Sequence, residues 1–405
     1  MRATAVTGPQ TFSSDVVSSG STWFDRRVLA VIQGAVAPAP LRFELWDGFA
    51  IEPSSQPPIA TFVIKNRRAL VSWAWDPDLY FGEAYMFGAV EVRGDLVAAL
   101  DAAFHALRWK TRPWWLPERS NTLRAARENV HHHYDLGNDF YRLWLDREMV
   151  YTCAYFPTPD VSLDDAQLAK MDLVCRKIRL SPGDRVVEAG CGWGSLALFM
   201  AREYGASVRA FNLSSEQIAY ARERAKREGL ADRVEFVEDD YRNTTGRYDA
   251  VVSVGMLEHV GKADYATFGR VIDRSLGENG RGLLHFIGRD RPAPLNSWIE
   301  RRIFPGGYPP TLREVFDLIL EPQQLSVLDV ENLRLHYAKT LTHWLRRFDE
   351  AADRVRADFD EPFVRAWRLY LAGSEAAFLA GSMQLFQIVF ARGGSNAIPW
   401  TRVSG

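Results

Sequence analysis

A predicted buried strand followed by closely spaced glycines is the feature of this sequence with the clearest chemical meaning. The segment VVEAGCGWG, residues 186–194, has glycines at Gly190, Gly192 and Gly194, and Glu188 lies two positions before the first. The nicotinamide-binding fingerprint is spaced differently, as G-x-G-x-x-G. Glycines allow an adenosyl and methionine ligand to lie against bare backbone, and the N-terminus of the following helix favours a carboxylate. The turn by itself therefore indicates a nucleoside-like cofactor, and S-adenosylmethionine is the leading interpretation, with Glu188 able to accept from the ligand ammonium directly or through water.

The next two predicted strands end in side chains that suit the nucleoside part of such a ligand. The second strand ends at Asn212 and Leu213, where nucleoside-binding folds hydrogen-bond the ribose hydroxyls, and Gln217 follows within reach of the same region. The third strand ends at Asp240 and Tyr241, an acid and an aromatic ring suited to bracketing adenine. A helix N-cap and a core tyrosine are the competing interpretation of this last pair.

Helices and strands alternate from about residue 165 onward, and these elements must position the candidate residues. Apolar, strand-like runs are separated by amphipathic stretches such as SSEQIAYARERAKREGL, which opens with a serine cap. The alternation predicts an α/β fold with a doubly wound, mostly parallel sheet. Together with the glycine turn, this makes a Rossmann-like class I methyltransferase the expected fold type. Further helices are expected around residues 311–320, 340–356 and 361–380, with a final strand at 383–392.

The N-terminal part has a different pattern and is predicted to form a smaller α+β domain over residues 23–107. Three segments have strand-like patterns: residues 41–48, 60–66 and 69–75. The segment LVAALDAAFHAL, residues 96–107, is predicted to be an amphipathic helix. Residues 1–22 are rich in Ser, Thr and Gly and are expected to form a flexible tail.

A basic, tryptophan-rich segment, residues 108–130, connects this domain to the methyltransferase domain expected over residues 131–405. It contains Trp109, Trp114 and Trp115. One interpretation is a solvated linker whose tryptophans dock on the next domain. The other is a membrane-surface contact, in which Arg and Lys meet anionic headgroups while Trp lies at the interface.

Length and composition exclude several classes of protein. A chain of 405 residues favours two domains, and a formal net charge of −2 provides no field for nucleic acid, which we do not expect as a partner. Cys153, Cys175 and Cys191 have neither metal-ligand nor disulfide-framework spacing, so we expect no metal site and a reducing compartment. No signal peptide and no apolar run of about 18 residues is found. We expect a cytoplasmic protein that contacts the inner membrane face peripherally.

A conspicuous segment precedes the glycine turn: HHHYDLGNDFYRLWLDREMVYTCAYF, residues 131–156. It resembles the segment before the methyltransferase core in cyclopropane-fatty-acyl-phospholipid synthases and the related mycolic acid cyclopropane synthases. Further motifs of this family follow in order: VEAGCGWGSLA (187–197), VSVGMLEHVG (252–261), LLHFIG (283–288), IFPGGYPP (303–310), HYAKTL (336–341) and QLFQIVFARG (384–393). The resemblance covers about residues 130 to 393. The N-terminal WDG and GEAYM stretches look like the extra domain of the longer, phospholipid-acting members.

The resemblance implies methyl transfer from S-adenosylmethionine to a cis double bond of an unsaturated phospholipid acyl chain. The resulting carbocation closes to a cyclopropane when the added methyl group loses a proton. In this family the base is taken to be a bicarbonate ion, and its ligands correspond here to Cys153, Glu258, His285, Ile287 (through main chain) and Tyr337. The chemistry of these residues suits that role, because His285 and Tyr337 can donate to bicarbonate and Glu258 can receive a proton.

The resemblance also implies cofactor contacts. Tyr134 and Tyr151 look like the residues that close over the methionine end. The family's adenosyl-binding positions are matched by Gly190, Gly192, Asn212, Leu213, Gln217, Tyr241 and Val254. The rings of Tyr155, Phe156 and Phe286 are candidates for lining an acyl tunnel and facing the cation.

Several outcomes stay open. Leu257 stands where the family usually has Phe, and Phe386 where it usually has Trp, so chain-length and product preference are undetermined. Relatives on the same scaffold form methylene- or 10-methyl-branched chains without ring closure. The sequence is also compatible with a methyltransferase for a small soluble acceptor and with a catalytically inactive lipid-binding protein. The expected partner is unsaturated phospholipid in the bilayer; a homodimer, and a separate reductase for a methylene-branched product, are left open.

Overall fold

A computed structural model describes residues 20–54, 56–107, 136–398 and 400. Most of the predicted tail, the tryptophan-rich linker and Tyr134 lie outside these residues. The described residues divide into two compact units. The smaller unit contains the residues up to 107 together with Asn296–Ile303 and Leu341–Ser382, and the larger unit contains the remainder.

The smaller unit begins with a four-stranded sheet that shares one apolar core with its helices. Its strands, in the order β2-β1-β3-β4, are β1 (Leu41–Leu45), β2 (Ala50–Ile51), β3 (Ala60–Ile64) and β4 (Val90–Gly94). Strands β1 and β3 are parallel and the other pairs are antiparallel. The first helices are α1 (Trp23–Val36), α2 (Arg67–Trp75), α3 (Pro77–Met86) and α4 (Leu96–Leu107). The expected N-terminal helix over residues 96–107 is therefore confirmed.

The larger unit contains a seven-stranded sheet in which the central strands are parallel. Its strands are β5 (Arg185–Ala189), β6 (Ser207–Asn212), β7 (Val234–Glu238), β8 (Tyr248–Val254), β9 (Leu276–Gly288), β10 (Leu325–Asn332) and β11 (Gln384–Arg392). They lie in the order β10-β11-β9-β8-β5-β6-β7. Strands β9, β8, β5, β6 and β7 are parallel, and β11 and β10 add antiparallel pairs at one edge. The predicted α/β class with a mostly parallel sheet is confirmed.

The helices between these strands follow the alternation that the sequence predicts. Those after residue 136 are α5 (Asn138–Arg142), α6 (Leu163–Lys177), α7 (Ser195–Tyr204), α8 (Ser215–Arg227), α9 (Leu257–Val260), α10 (Tyr265–Ser275), α11 (Ser297–Arg302), α12 (Leu312–Val315), α13 (Arg334–Glu350), α14 (Ala352–Asp358) and α15 (Glu361–Leu379). Helix α8 begins after Ser214, whose hydroxyl accepts from the amide of Gln217. A π-helical turn, Phe316–Leu320, continues α12.

The order of the parallel strands determines where a ligand can bind. Strand β5 lies between β6 and β8, so the chain leaves β5 toward one side of the sheet and later returns on its other side. In doubly wound sheets such a switch opens a crevice at the carboxyl ends of the strands. Strand β5 itself is held by apolar residues, with Val186 and Val187 buried in the two cores on opposite faces of the sheet.

Some secondary structure differs from the sequence-based expectation. Residues 69–75 are helical in α2, not a strand, because Asn66 caps the amide of Ala69 and the buried Ala69, Leu70 and Trp73 recur at helical spacing. Strand β10 is absent from the sequence-based prediction. Most of its residues are only partly buried, so its sequence lacks the apolar signal of a core strand.

The division into units also differs from the expected single domain over residues 131–405. Helices α11, α14 and α15, with the later part of α13, belong to the smaller unit. The physical reason is the broad apolar face of α15, which packs against α3 and α4. The ion pair between Arg302 of α11 and Glu83 of α3, with both guanidinium contacts at 2.7 Å, joins the same unit.

We predict opposite stability effects for two glycine-to-alanine changes in helices of the smaller unit. A Cβ atom on Gly82 in α3 would lie 2.3 Å from Cγ of Trp298, whereas one on Gly34 in α1 would meet no described atom within 4 Å. Gly82→Ala should lower the free energy of unfolding by about 1–3 kcal/mol through overpacking. Gly34→Ala should raise it by about 0.5–1 kcal/mol. Urea denaturation measures both, and a gain in stability for Gly82→Ala would contradict the packing of α11 on α3.

Candidate active site at the carboxyl edge of the sheet

The glycine turn follows the carboxyl end of β5. The amides of Gly190 and Cys191 both donate to one carbonyl oxygen of β6, each at 3.0 Å. Gly192 and Gly194 have φ values of 53° and 83°, a region that other residues rarely adopt. A Cβ atom on Gly194 would lie 2.5 Å from Cζ of Phe236, whereas one on Gly192 would meet no described atom within 4 Å. Gly194 thus permits close packing of α7 on the sheet, and Gly192 presents bare backbone.

Glu188 lies beneath this turn as a buried carboxylate with unused hydrogen-bonding capacity. Its side chain is 2% exposed, and no described residue forms a hydrogen bond with its Oε2 atom. Burial raises the pKa of Glu188 to about 7, against an opposing effect of the nearby Lys170. A buried acceptor without a partner is costly to folding, so this atom is suited to a ligand that donates to it.

The polar side chains after β6 divide their roles in a way that the sequence does not reveal. The Asn212 amide donates to the carbonyl of Gly192 at 3.1 Å and to Oε1 of Gln217 at 2.7 Å. Its Oδ1 accepts from the amide of Leu213 at 2.7 Å. The Nε2 atom of Gln217 is buried and has no partner among the described residues. Asn212 therefore braces the turn, and Gln217 keeps the donor that a ligand can use.

Asp240 and Tyr241 follow the end of β7 and differ in their hydrogen bonding. Both carboxylate oxygens of Asp240 accept from the guanidinium of Arg242, at 2.8 and 2.9 Å, and Oδ1 also caps the amide of Arg242. The hydroxyl of Tyr241 is buried without a partner among the described residues, and its ring packs edge-on against Phe268. Asp240 is thus occupied by protein, whereas Tyr241 retains a free polar atom. Val254, at the end of β8, is buried beside this edge.

A second group of buried polar side chains lies where β8 and β9 end. Val254 pairs with His285, and the amide of Gly255 donates to the carbonyl of His285 at 2.8 Å. Glu258, at the start of α9, accepts from the amide of Ile287 at 3.0 Å through Oε1. The family resemblance assigns the main chain of Ile287 to a bound anion, but in the structure its amide is already donated to Glu258.

Two atoms of this second group have no partner among the described residues, namely Oε2 of Glu258 and Nε2 of His285. Burial raises the pKa of Glu258 to about 7 and lowers the pKa of His285 well below its usual value. At neutral pH the imidazole of His285 is therefore neutral, whereas Glu258 is divided between its protonated and ionised forms. The site offers a carboxyl group able to gain or lose a proton and a neutral imidazole.

Cys153 lies in a segment held against the same edge of the sheet. The Cys153 thiol is fully buried and donates to its neighbour's carbonyl at 3.1 Å, and burial raises its pKa. The amide of Ala154 donates to the hydroxyl of Thr340 on α13 at 3.0 Å. Tyr337, one helical turn earlier on α13, is also buried. Thr340 thereby brings the segments of Cys153 and Tyr337 together.

Tyr151 belongs to an aromatic cluster that links its segment to the glycine turn. Its ring lies 5.6 Å from that of Tyr141 and 5.2 Å from that of Trp144. Tyr141 in turn lies 4.9 Å from the ring of Trp193, which belongs to the turn. Tyr155 stacks on His336 at 4.8 Å. These contacts place the YTCAYF segment beside the candidate cofactor loop.

Phe286 does not lie on the face of β9 that carries His285 and Ile287. Successive side chains of a strand point to opposite faces, and Phe286 is fully buried in the core with its ring 5.8 Å from that of Phe386. Phe286 is therefore part of the apolar core on the other face of the sheet. This position does not favour the expectation that it lines an acyl tunnel with Tyr155.

Sequence reasoning missed the polar residues that organise the site from α6 and β11. Lys170 is 1% exposed and donates to the hydroxyl of Thr152 at 2.9 Å, and burial lowers its pKa to about 8. Gln167, one turn earlier, donates to the carbonyl of Thr152 at 2.8 Å. Gln387 lies 2.9 Å from Nδ1 of His285. A lysine and a glutamine on the apolar side of an amphipathic helix were the available signal in α6.

The fold and this edge of the sheet define an S-adenosylmethionine-dependent methyltransferase. Among solved structures, the chain is similar to mycolic acid cyclopropane synthase CmaA1 complexed with SAH and CTAB, with a TM-score of 0.62 and 30% sequence identity. That similarity covers 65% of this chain and 97% of the other. The resemblance inferred from the motifs is thus matched by a similarity of structure.

Two curated proteins and a family model give the family. The chain is 41% identical over 380 residues to a "probable fatty acid methyltransferase" of Pseudomonas putida, covering 90% of this chain and 95% of that protein. It is also 41% identical over 267 residues to the cyclopropane-fatty-acyl-phospholipid synthase of Escherichia coli strain K12, covering 66% and 68%. The model described as mycolic acid cyclopropane synthetase matches residues 121–388. This chain belongs to that family, and the resemblance seen in its motifs is confirmed.

We predict that the affinity for S-adenosylmethionine depends on the ionisation of Glu188. Because the pKa of this buried group is about 7, ligand binding through an ammonium must displace a proton at lower pH. Affinity measured by calorimetry should rise from about pH 5.5 through pH 7 and level off above about pH 8. Glu188→Gln should bind more weakly, with a flat profile. Glu223→Gln, an exposed change on α8, serves as the control, and an unchanged profile in Glu188→Gln would refute the role.

Proposed function

We propose that this enzyme transfers a methyl group from S-adenosylmethionine to the cis double bond of an unsaturated phospholipid acyl chain and forms a cyclopropane. The observation that carries the proposal is that two clusters of buried polar side chains lie at one edge of the sheet. Glu188 and Gln217 have atoms beside the glycine turn that no described residue satisfies. Glu258 and His285 have atoms of the same kind at the ends of β8 and β9. One group suits the methyl donor, and the other suits removal of a proton.

The residues around the glycine turn fit the methyl donor. Glu188 would accept from its ammonium, and the N-terminus of α7, where Gly194 provides no side-chain cap, would attract its carboxylate. Gln217 would donate to the nucleoside. S-adenosylmethionine, when bound, supplies an electrophilic methyl group. The role of these residues is to fix that group relative to the second set of side chains.

The second set fits a small oxyanion such as bicarbonate, which when bound supplies a base. His285 and Tyr337 would donate hydrogen bonds to it, and Cys153 would contact it from the YTCAYF segment. Glu258 has a free Oε2 beside the amide that fixes its Oε1, so it can hold a proton at a defined atom. Ile287 would act through Glu258, because its amide is already used there.

Burial is important for this chemistry because the acyl chain passes through a cationic state. The alkene carbon that does not receive the methyl group becomes electron-deficient, and water would quench it. Glu258, His285 and Cys153 are all nearly inaccessible to solvent. Closure of the ring then needs a proton to leave the added methyl carbon, and a buried acceptor with a pKa near 7 is matched to that transfer at neutral pH.

Access to lipid requires contact with a membrane from outside, since none of the described helices is long and apolar enough to cross one. The smaller unit carries aromatic side chains that suit such a contact: Trp23 and Trp75 are 78% and 86% exposed. The adjacent Phe24 and Arg27 are also exposed. Exposed tryptophans beside basic residues are typical of surfaces that bind the membrane interface. These side chains support the proposal that the protein contacts an anionic bilayer peripherally.

A methylene- or methyl-branched product is the second candidate. The relative of Pseudomonas putida, which matches nearly the whole chain, is described as a probable fatty acid methyltransferase. Both outcomes share the methyl transfer and the cation, and they differ in which bond forms when the proton leaves. A branched product would also need a separate reductase to saturate it.

We expect purified enzyme with S-adenosylmethionine and vesicles of oleoyl phosphatidylglycerol to add one methylene unit to the oleoyl chains. Proton NMR of the extracted chains should show high-field cyclopropane signals. Vinylidene signals in their place would support the branched product. Unchanged acyl mass would reject both outcomes, and vesicles with fully saturated chains provide the control.

We predict that Glu258→Gln lowers turnover on these vesicles by a factor on the order of 10²–10⁴, the usual contribution of a positioned proton acceptor. The amide oxygen can still accept from Ile287, so the fold and the affinity for S-adenosylmethionine should be preserved. The exposed Glu278→Gln serves as the matched control. Full activity in Glu258→Gln would remove this residue from proton transfer.

A further inference from the structure

A row of buried polar side chains crosses three neighbouring strands and ends at His285. Glu331 of β10 is in register with Gln387 of β11, and Gln387 is in register with His285 of β9. The side chain of Gln387 is fully buried and that of His285 is 1% exposed. Lys177, at the end of α6, reaches the row and pairs with the carboxylates of Glu331 and Asp329. This row approaches His285 from the side away from the glycine turn, through β11 and β10.

The direction of each hydrogen bond in the row follows from the chemistry of Lys177. An ammonium group can only donate, so the atom of Gln387 that lies 2.7 Å from Nζ of Lys177 must be its oxygen. The amide nitrogen of Gln387 then points to Nδ1 of His285 at 2.9 Å. Because an amide nitrogen also only donates, Nδ1 must be the bare, accepting nitrogen of the ring.

The opposite orientation of the Gln387 amide is disfavoured by the same neighbours. Rotating the amide by half a turn would place its NH₂ group against the ammonium of Lys177, so that two donors would face each other. Lys177 is held in position by Glu331 and Asp329 and cannot move away without losing these ion pairs. In a buried row such an unpaired donor is costly.

We infer that Lys177 and Gln387 are positioning residues that hold His285 as the tautomer with its proton on Nε2. The inference rests on the proposed function for its chemical meaning. Nε2 is the ring atom without a partner among the described residues, so His285 presents a hydrogen-bond donor to whatever binds there. The imidazole then stabilises an anion, such as the bicarbonate or the carboxylate of Glu258, and does not itself take the proton from the acyl chain.

This assignment divides the roles within the second group of side chains. With His285 fixed as a donor, the side chain available to hold the released proton is Glu258, whose Oε2 has no partner in the described part of the chain. Burial lowers the pKa of His285 and so keeps the ring neutral, and only a neutral imidazole has two tautomers between which the protein can select. The row from Lys177 to His285 therefore determines, before any ligand binds, that His285 acts as a hydrogen-bond donor in the site.

The tautomer can be measured directly. In enzyme labelled with ¹⁵N-histidine, the two ring nitrogens of His285 differ in chemical shift according to which is protonated, and the resonances are assigned by their loss in His285→Gln. The wild-type enzyme should show a protonated Nε2 and a bare Nδ1. Gln387→Met, which has a similar volume and no donor, should distribute the proton over both nitrogens. Its turnover on oleoyl vesicles should fall by about 10- to 100-fold, with unchanged affinity for S-adenosylmethionine.

Further variants separate positioning from simple damage. Lys177→Met leaves Gln387 in place but frees its amide, so it should weaken the preference for protonated Nε2 in the same direction. Gln324→Met, a similar change at an exposed residue, should alter neither the spectrum nor turnover. If Gln387→Met does not fold, the wild-type spectrum and Lys177→Met decide.

A wild-type His285 protonated on Nδ1 would overturn the inference. So would a Gln387→Met enzyme that loses the tautomer preference but keeps turnover within about twofold of the control, since about tenfold is the smallest expected loss. A wild-type enzyme that does not methylate oleoyl chains would reject the proposed function, whereas the NMR result would still decide the tautomer. The two failures are therefore distinguishable.

Discussion

Burial of ionisable side chains whose polar atoms no described residue satisfies is the constraint on which the rest of this site depends. Glu188, Glu258 and His285 each have such an atom. Burial raises the pKa of both glutamates and lowers that of His285, which in each case favours the neutral form. In a protein interior such an atom costs free energy of folding, because no protein hydrogen bond replaces the one that it made to water. The nearby Lys170 opposes the rise in the pKa of Glu188, and Gln387 lies 2.9 Å from Nδ1 of His285. These atoms, which have no hydrogen-bond partner among the described residues, are therefore suited to binding a ligand.

The topology of the parallel sheet brings these atoms to one edge. Glu188 lies near the carboxyl end of β5, Glu258 follows the end of β8, the neighbour of β5, and His285 lies near the end of β9, the next strand beyond β8. The segment containing Cys153 has no strand of its own. It is tied to this edge by Thr340 and by Lys170, through one side-chain hydrogen bond from each. The strand order therefore brings the candidate cofactor-binding residues and the residues proposed for proton removal to the same edge of the sheet.

Much of this can be predicted from sequence, and the failures have physical reasons. The glycine turn and the alternation of helices and strands carry strong local patterns, and these patterns predict the sheet. The segment 69–75 has the pattern of a strand because Val71, Trp73 and Trp75 alternate with other residues, while the Asn66 cap lies outside the pattern. The engagement of the Ile287 amide by Glu258 joins two different elements and depends on tertiary geometry. The pairing of Asp240 with Arg242, two residues later, is local, but nothing in the residue types distinguishes it from a ligand contact. The row from Lys177 to His285 joins residues more than a hundred positions apart, which local sequence does not reveal.

The central claim is that the methyl group added to the acyl chain itself loses a proton inside this buried site. The most direct test uses S-adenosylmethionine with a fully deuterated methyl group and vesicles of oleoyl phospholipid, followed by mass spectrometry of the acyl chains. The account predicts that every product retains two of the three deuterium atoms, because one leaves from the methyl carbon. Retention of all three, which requires the proton to leave from the chain, or the absence of any labelled chain, would contradict it.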